Sequence, residues 1–350
     1  MVRSPAESWR LMRRRQSKRR LRWLVVLLAF LAVGLFGWAS LRPTEPGRRF
    51  YVRYAAETSA SDVLKKLQEK GVIRSAAITG LVLRISGSPH TLRPGTYTFA
   101  PGDSLRTLRR ELAAPMRRRV RLREMRWIAR TAEALQREGV CPADDYRRVA
   151  NDAAPFRDEF PFVPESGSLE GYLMPDTYDL PPLTPAEEVV RMQLRAFSTK
   201  IEPLVAEQDR TSVLTAASLV EMEASDSEDR RRIAGVIENR LAKGMRLQID
   251  ATVNYARQKW GRLYYKDYKG VKSPYNTYLV KGLPPGPICS PSVDAVRAVL
   301  SPIESSALYY VALPSGKTIY AATFAEHQKN IALRRAMIAE SAASGRGKTP

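Results

Sequence analysis

The longest apolar run in the chain lies near its N-terminus and carries no charge. Residues 23–41 read WLVVLLAFLAVGLFGWASL, long enough as a helix, at about 1.5 Å per residue, to cross a bilayer. Residues 1–22 hold nine Lys and Arg against one Glu, which favours a cytoplasmic N-terminus and an extracytoplasmic remainder. The run exceeds most signal-peptide cores, and no clear A-x-A site follows it. The pattern therefore predicts a retained single-pass anchor, with a cleaved signal peptide as the alternative.

After a Pro- and Gly-containing linker (residues 42–49), strand-like and helix-like periods alternate up to residue 140. The segment RFYVRYA alternates as a strand, and SASDVLKKLQEKGVI has the apolar spacing of an amphipathic helix. A further strand, a Pro-Gly turn and a helix follow in PGTYTFAPGDSLRTLRREL. Each short segment buries little surface alone, so we expect a compact α/β module over residues 50–140.

Residues 141–338 show longer helical periods separated by irregular, Pro-rich stretches. Helices are predicted to begin at Thr184 and at Ser290, each with proline at the next position. A hairpin is expected around Ser315, followed by a helix capped by Thr323. The predicted fold class is α+β: an N-terminal transmembrane helix, a small α/β module and a larger mixed α/β domain.

Composition restricts the classes of function. The net charge of +21 predicts an anionic partner, and outside the cytoplasm this favours wall polymer or lipid headgroups over nucleic acid. Cys141 and Cys289 form no disulfide framework, and His90 and His327 are isolated, so neither a metal nor a cofactor is expected. Residues 339–350 are predicted to be a disordered tail.

Two carboxylates interrupt an otherwise apolar helical stretch, AASLVEMEAS, at residues 216–225. Glu221 shares a helix face with small and apolar residues three, four and seven positions earlier. It is therefore predicted to emerge from a partly buried face, where burial disfavours the charged form and suits a general acid. Glu223 lies about 200° round the helix and is predicted to be solvated or salt-bridged. The alternative is that Glu221 pairs with an arginine, for instance in EDRRR.

Three further stretches combine polar and aromatic residues. The loops SGSLEGYLMPDTYDL and SPYNTYLVKGLPPGPICSPS carry turn formers typical of shaped surface loops, which often line glycan grooves. RLQIDAT alternates as a strand and faces either a cleft or solvent. For SGSLEGYLMPDTYDL the alternative is a purely structural loop. The candidate residues in the three stretches are Glu170 and Tyr172, which could present hydrogen bonds and a stacking face to a sugar, together with Gln248, Asp250, Tyr275 and Asn276.

Taken together, these stretches resemble the MltG/YceG family of membrane-anchored endolytic peptidoglycan transglycosylases. LEGYLMPDTY, ASLVEMEA, IAGVIENRLAKGMRLQIDATVNYA and SPYNTYLVKGLPPGPICSPS follow the family's order and spacing, and the resemblance covers about residues 50–335. It implies a LysM-like module over residues 50–140 and a catalytic domain over residues 141–338. The chain departs from the family pattern at Ile249 and Gln328, and it lacks the Pro-Glu-Gly turn expected in RLREMRWIARTAEAL.

The resemblance also implies an activity. It places the catalytic glutamate at Glu221 and implies cleavage of the β-1,4 bond after N-acetylmuramic acid in nascent strands, leaving 1,6-anhydro ends. One carboxylate suffices because the muramyl 6-hydroxyl is an internal nucleophile. In this reaction Gln248, Asp250, Tyr275 and Asn276 are predicted to orient the sugars or to stabilise developing charge. The implied partners are peptidoglycan strands and cell-wall synthases at the membrane. The alternative function is a non-catalytic peptidoglycan-binding scaffold for those synthases.

Overall fold

The computed structural model describes residues 5–206, 208–224 and 226–343, which divide into two compact units on either side of the Arg117–Arg118 bond. The sequence pattern placed this boundary 23 residues later, after residue 140. The earlier boundary has a structural reason. Strand β5 (Arg119–Arg121) pairs with β6 (Thr177–Asp179), and helix α5 (Ile128–Arg137) packs against α6 (Ala143–Ala150), so residues 118–140 belong to the second unit.

The first unit begins with helix α1 (Pro5–Leu41), which contains the apolar run. Residues Trp23–Leu41 have a mean hydropathy of 2.4, and none of this span is buried within the protein. By length and composition it could cross a membrane, and an N-terminal signal sequence has the same properties.

The remainder of the first unit is a small α/β module with its own core. Tyr97, Phe99, Leu67 and Leu108 are fully buried in that core. Two short antiparallel strand pairs, β1 with β4 and β2 with β3, frame it. The elements are β1 (Phe50–Tyr54), β2 (Thr58–Ser59), α2 (Ala60–Glu69), α3 (Ala76–Ile85), β3 (Thr91–Leu92), β4 (Gly95–Phe99) and α4 (Leu105–Ala113). The strand and helix predictions here are confirmed, whereas the LysM-like character stays a prediction.

The second unit is mostly helical, with short strands at its edges. After α6 come a 3₁₀ turn (Ala154–Phe156), β6, α7 (Ala186–Lys200), α8 (Glu202–Val205), α9 (Arg210–Glu223), α10 (Ser227–Ala242), α11 (Asp250–Ala256), α12 (Tyr265–Gly270), α13 (Val293–Leu300), β7 (Tyr309–Ala312), β8 (Thr318–Ala321) and α14 (Phe324–Ala343). The β7–β8 hairpin and the cap of α14 by Thr323 match the predictions. Helix α14 covers residues 339–343 of the predicted tail, and residues 344–350 lie outside the described residues.

Helix α9 lies at the centre of this unit. Its residues from Leu214 to Met222 are all buried, and α10 and α13 pack against it. The surrounding core also buries Cys141 and Cys289 as free thiols. This packing brings the last turn of α9, with its two carboxylates, against α10 and the start of α13.

Candidate active site

The Glu221 side chain is fully buried and connects three helices, α9, α10 and α13. Its side chain is 1% exposed, and Oε1 lies 3.1 Å from the Nη2 atom of Arg230 on α10. The other oxygen, Oε2, accepts hydrogen bonds from the backbone N–H (2.9 Å) and the hydroxyl of Ser292, the N-cap of α13. The arginine pairing that the sequence left open is therefore present. Both carboxylate oxygens therefore have hydrogen-bond partners inside the protein. Helix α13 has its N-cap at Ser292, two residues after the predicted start at Ser290.

Glu223, two residues later, has a different environment. Its side chain is half-buried, and its Oε2 accepts a 3.0 Å hydrogen bond from the Tyr310 hydroxyl on β7. Burial, with a smaller contribution from the nearby Asp250 carboxylate, raises the pKa of Glu223 to about 7 against the opposing effects of Tyr310 and Arg240. Glu223 is thus only partly solvated, and the hydrogen bond that it accepts comes from the Tyr310 hydroxyl on β7.

Asp250 stands beside Glu223 at the first position of α11. It is exposed, with Oδ1 accepting a 2.6 Å hydrogen bond from the Tyr278 hydroxyl and Oδ2 a 3.4 Å one from Tyr268. The two tyrosine rings lie 4.5 Å apart. An exposed carboxylate held by two phenols is thus fixed in orientation next to a second carboxyl group whose pKa is near neutrality.

The segment before α11 is not the predicted strand. Gln248 has a left-handed backbone (φ 52°) and an exposed side chain, and its N–H donates to the Thr277 carbonyl. Thr252 is buried inside α11, so it does not share a face with Gln248 and Asp250. Left-handed backbone at a non-glycine residue is uncommon, and here it turns the chain so that Gln248 and Asp250 are both exposed on either side of the buried Ile249.

Three of the predicted sugar-binding residues lie inside the protein instead. Asn276 is buried, and its side chain donates to the Tyr268 and Val271 carbonyls and accepts from the Tyr278 N–H. These bonds shape the loop that carries both tyrosines. Asn276 therefore acts on the site through Tyr268 and Tyr278, and its burial does not fit the predicted direct contact with sugar.

Glu170 and Tyr172 are likewise buried, in the second unit's core. Glu170 accepts a 2.9 Å hydrogen bond from the Ile128 N–H at the start of α5, and burial raises its pKa to about 8. The Tyr172 ring packs 5.4 Å from Phe197. Tyr275 is half-buried beside Glu170, with its ring 4.9 Å from that of Tyr255. The alternative of a structural loop describes Glu170 and Tyr172 better than sugar binding does.

Comparison with known proteins identifies the family. The model of the YceG-like family matches residues 52–333. The chain belongs to the YceG-like family. The fold agrees, since the crystal structure of a YceG-like protein from Listeria monocytogenes superposes with a TM-score of 0.56 at 28% identity, covering 80% of this chain and 98% of that one.

Curated relatives of this YceG-like chain carry the name endolytic murein transglycosylase. The protein from Bacillus subtilis is 40% identical over 168 residues, 46% of each chain. The protein from Streptococcus pneumoniae serotype 2 is 38% identical over 184 residues, 49% of this chain and 33% of that one. The chain thus spans between about one third and one half of the length of these relatives.

Several residues around Glu223 were missed by sequence reasoning. Tyr278 lies in the loop SPYNTYLVKGLPPGPICSPS, and Tyr310 lies in the predicted hairpin, where no local pattern indicates a role at the site. Arg240 is buried, and its guanidinium donates to the Leu308 and Leu247 carbonyls. It thereby ties the segment before Gln248 to the segment before β7. Only tertiary packing brings Tyr310 and Arg240 to Glu223 and Tyr278 to the neighbouring Asp250, and no local spacing predicts it.

Proposed function

We infer that this YceG-like chain is a membrane-anchored endolytic murein transglycosylase. It cleaves the β-1,4 bond between N-acetylmuramic acid and N-acetylglucosamine in nascent peptidoglycan, forms 1,6-anhydro-muramyl ends and limits strand length. The family and the names of the curated relatives support this reaction. The observation that carries it is Glu223, a half-buried carboxyl group with a pKa of about 7 beside exposed Asp250 and Gln248.

Glu223 is the better placed of the two glutamates to act as the acid. A general acid works best when its pKa lies near the working pH, and a protonated Glu223 is available for donation near neutrality. Glu221 instead has both oxygens occupied by Arg230 and Ser292, and only 1% of its side chain is exposed. The assignment of Glu221 from the resemblance stays a prediction, which the paired variants below decide.

The proposed reaction needs one carboxyl group and no water. Glu223 donates its proton to the glycosidic oxygen as the bond from that oxygen to the muramyl C1 breaks. The muramyl 6-hydroxyl oxygen then bonds to C1, and its proton passes to the Glu223 carboxylate, which restores the acid. Asp250, held by Tyr278, places a negative charge where positive charge develops on the sugar. Gln248 supplies an exposed amide for orienting the glycan.

The anchor and its orientation belong to the same proposal. Trp23–Leu41 is long enough to span the bilayer, and the basic residues before it favour a cytoplasmic N-terminus. The catalytic unit then lies outside the cytoplasm, near the cell-wall synthases that supply new strands. A topology reporter fused after Pro350 tests this orientation, because a reporter active only in the cytoplasm would contradict it.

The deciding experiment compares full-length wild type with Glu223→Gln and Glu221→Gln on purified sacculi and nascent strands. Mass spectrometry counts anhydro-muramyl ends, and circular dichroism checks folding. We expect ends from the wild type, and a loss of at least about 100-fold in Glu223→Gln. If folded Glu221→Gln loses the product while Glu223→Gln retains it, Glu221 is the acid. If the wild type forms no anhydro ends but binds sacculi, the chain is the non-catalytic scaffold.

A further inference from the structure

One segment beside the candidate site presents large aromatic side chains to solvent. Residues 257–272, here called the aromatic arm, include Trp260, Tyr264 and Tyr265, which are 47%, 58% and 74% exposed. Contiguous exposed apolar surface on a folded unit commonly marks a binding surface. Three such side chains within six residues therefore indicate a ligand-binding surface.

The arm is a built structure, because Arg257 fastens it from within. The Arg257 guanidinium donates to the Asn254 side chain at 2.8 Å and to the Lys259 and Gly261 carbonyls at 3.0 and 3.2 Å, and it lies 3.5 Å from Asp267. Asp267 in turn accepts the N–H of Tyr264 at the start of α12. These contacts hold the backbone of the arm in one conformation, so its exposed aromatic side chains project from an ordered segment.

Trp260 is also braced from below. Its ring lies 6.2 Å from that of the buried Trp127, and the Arg130 guanidinium lies 5.2–5.3 Å from both ring centroids. Because the indole is already held in place, it loses little conformational entropy when a ligand binds to its exposed flat face. Such a face suits stacking against the apolar side of a sugar ring.

The arm is strongly basic. Its five exposed cations face a single acid, Asp267, which Arg257 and Tyr264 already engage. Among the described residues none of the five has an acidic partner within salt-bridge distance. They are Lys259, Arg262, Lys266, Lys269 and Lys272. The ligand is therefore expected to carry negative charges next to its flat, weakly polar rings.

The arm continues directly into the candidate site. Tyr268 lies in the middle of α12. Its hydroxyl donates a hydrogen bond to Asp250, and its backbone carbonyl accepts one from the Asn276 side chain. A ligand lying along α12 would therefore run toward Asp250 and Glu223. Tyr268 thus belongs both to the arm and to the site around Asp250. This continuity favours a polymer that occupies both over a lipid surface.

We propose that the aromatic arm is a second binding surface for the same glycan strand, in which Trp260 and Tyr265 stack on sugar rings and the lysines contact carboxylates of the stem peptides. The ligand class is an acidic, peptide-bearing polysaccharide. This inference rests on the proposed function, because it takes peptidoglycan as the substrate. It explains how an enzyme that cuts within strands holds sugars at a distance from the bond that it cleaves.

Binding measurements test the arm separately from catalysis. Full-length Glu223→Gln protein in phosphatidylcholine nanodiscs is titrated with soluble strands that retain their stem peptides and with strands stripped of them by an amidase. Two arm variants are compared, Trp260→Ala/Tyr265→Ala and Lys266→Gln/Lys269→Gln/Lys272→Gln. The matched controls are Phe324→Ala, whose 58% exposure lies between those of Trp260 and Tyr265, and Lys243→Gln/Lys317→Gln/Lys329→Gln.

The two arm variants have different expected signatures. The aromatic variant should raise Kd about tenfold or more for both strand types, equivalent to roughly 1.4 kcal/mol. The lysine variant should raise Kd only for peptide-bearing strands and flatten its salt dependence. Controls should stay within about twofold of the parent at equal thermal stability. Unchanged Kd in both arm variants would overturn the proposal.

A lysine footprint separates the glycan from a lipid surface. Acetylation of the arm lysines is followed by mass spectrometry with and without strands, and with phosphatidylglycerol added to the nanodiscs. Protection by strands alone supports the proposal, and protection by the anionic lipid alone overturns it. If binding depends on the arm but the wild type forms no anhydro ends, the proposed function fails and the arm stands. If the wild type forms anhydro ends but binding does not depend on the arm, the proposed function stands and the arm proposal fails.

Discussion

The Arg230 guanidinium lies 3.1 Å from the Glu221 carboxylate, and this pair fastens α10 to the last turn of α9. Ser292 adds α13 to the same junction through two hydrogen bonds. Because Glu223 follows two residues later on α9, the junction fixes the helix end that carries the proposed acid. Under the proposed assignment of Glu223 as the acid, Glu221 acts on the site by holding the backbone in place.

Breaking this junction should destabilise the second unit strongly. Glu221→Gln leaves the Arg230 charge buried without its partner, which typically costs about 3–5 kcal/mol. The variant should unfold at a clearly lower temperature and urea concentration than the wild type. Glu221→Gln/Arg230→Gln should lose less than the sum of the two single changes. Arg232→Gln breaks the exposed pair with Glu228 and should lower the melting temperature far less, because exposed ion pairs contribute little to stability. An unchanged melting temperature in Glu221→Gln would contradict this role.

The raised pKa of Glu223 links stability to pH. Its pKa is about 7 in the folded chain against an ordinary value of 4.5, so folding favours the protonated form. The resulting stabilisation is complete below pH 4.5 and disappears as the pH rises through 7, by up to about 3 kcal/mol at 1.36 kcal/mol per pKa unit. Glu223→Gln cannot ionise, so its stability relative to the wild type should increase between pH 4.5 and 8. Melting temperatures across that range measure it, and parallel curves would refute the assignment.

Sequence patterns predicted the elements far better than the site. Helical periods and capping residues located α2, α9 and α14, because amphipathic spacing and caps are local properties. The alternation in RLQIDAT predicted a strand where the chain makes a left-handed turn at Gln248 and begins α11. There the Thr277 backbone and side chain bind the segment, and no local pattern records this tertiary contact.

The two glutamates of α9 show why the site was harder to predict. Helical geometry correctly separated Glu221 from Glu223, but which face is open depends on β7, about 90 residues further along the chain. Burial and proximity to Asp250 raise the pKa of Glu223, and the Tyr310 hydroxyl lowers it; all three effects arise from packing. The resemblance identified the family, which the family comparison confirmed, while the local pattern could not rank the two carboxylates.

Tyr310 should tune the pH at which the proposed acid works. Its hydroxyl donates to Glu223 Oε2 at 3.0 Å and so favours the ionised form. Tyr310→Phe should raise the pKa of Glu223 and shift the alkaline limb of kcat/KM upward by a fraction of a pH unit to about one unit. Tyr320→Phe, on the paired strand, removes a hydroxyl that donates to Asp229 instead and should leave the profile unchanged. A downward shift in Tyr310→Phe would show that Glu223 is not the titrating acid.

Glu170 should be a neutral structural group near pH 7. Burial raises its pKa to about 8, while its Oε2 accepts the Ile128 N–H at the start of α5. Its stabilising contribution is complete below pH 4.5 and disappears as the pH rises through 8. Glu170→Gln retains a neutral acceptor, so it should match the wild type within about 1 kcal/mol at pH 6 and exceed it at pH 9. Glu170→Ala leaves the Ile128 N–H unpaired and should lose about 1–3 kcal/mol at pH 6. Thermal unfolding at both pH values tests this, and a large rise in KM in a stable Glu170→Gln variant would instead support the sugar-binding role predicted from the sequence.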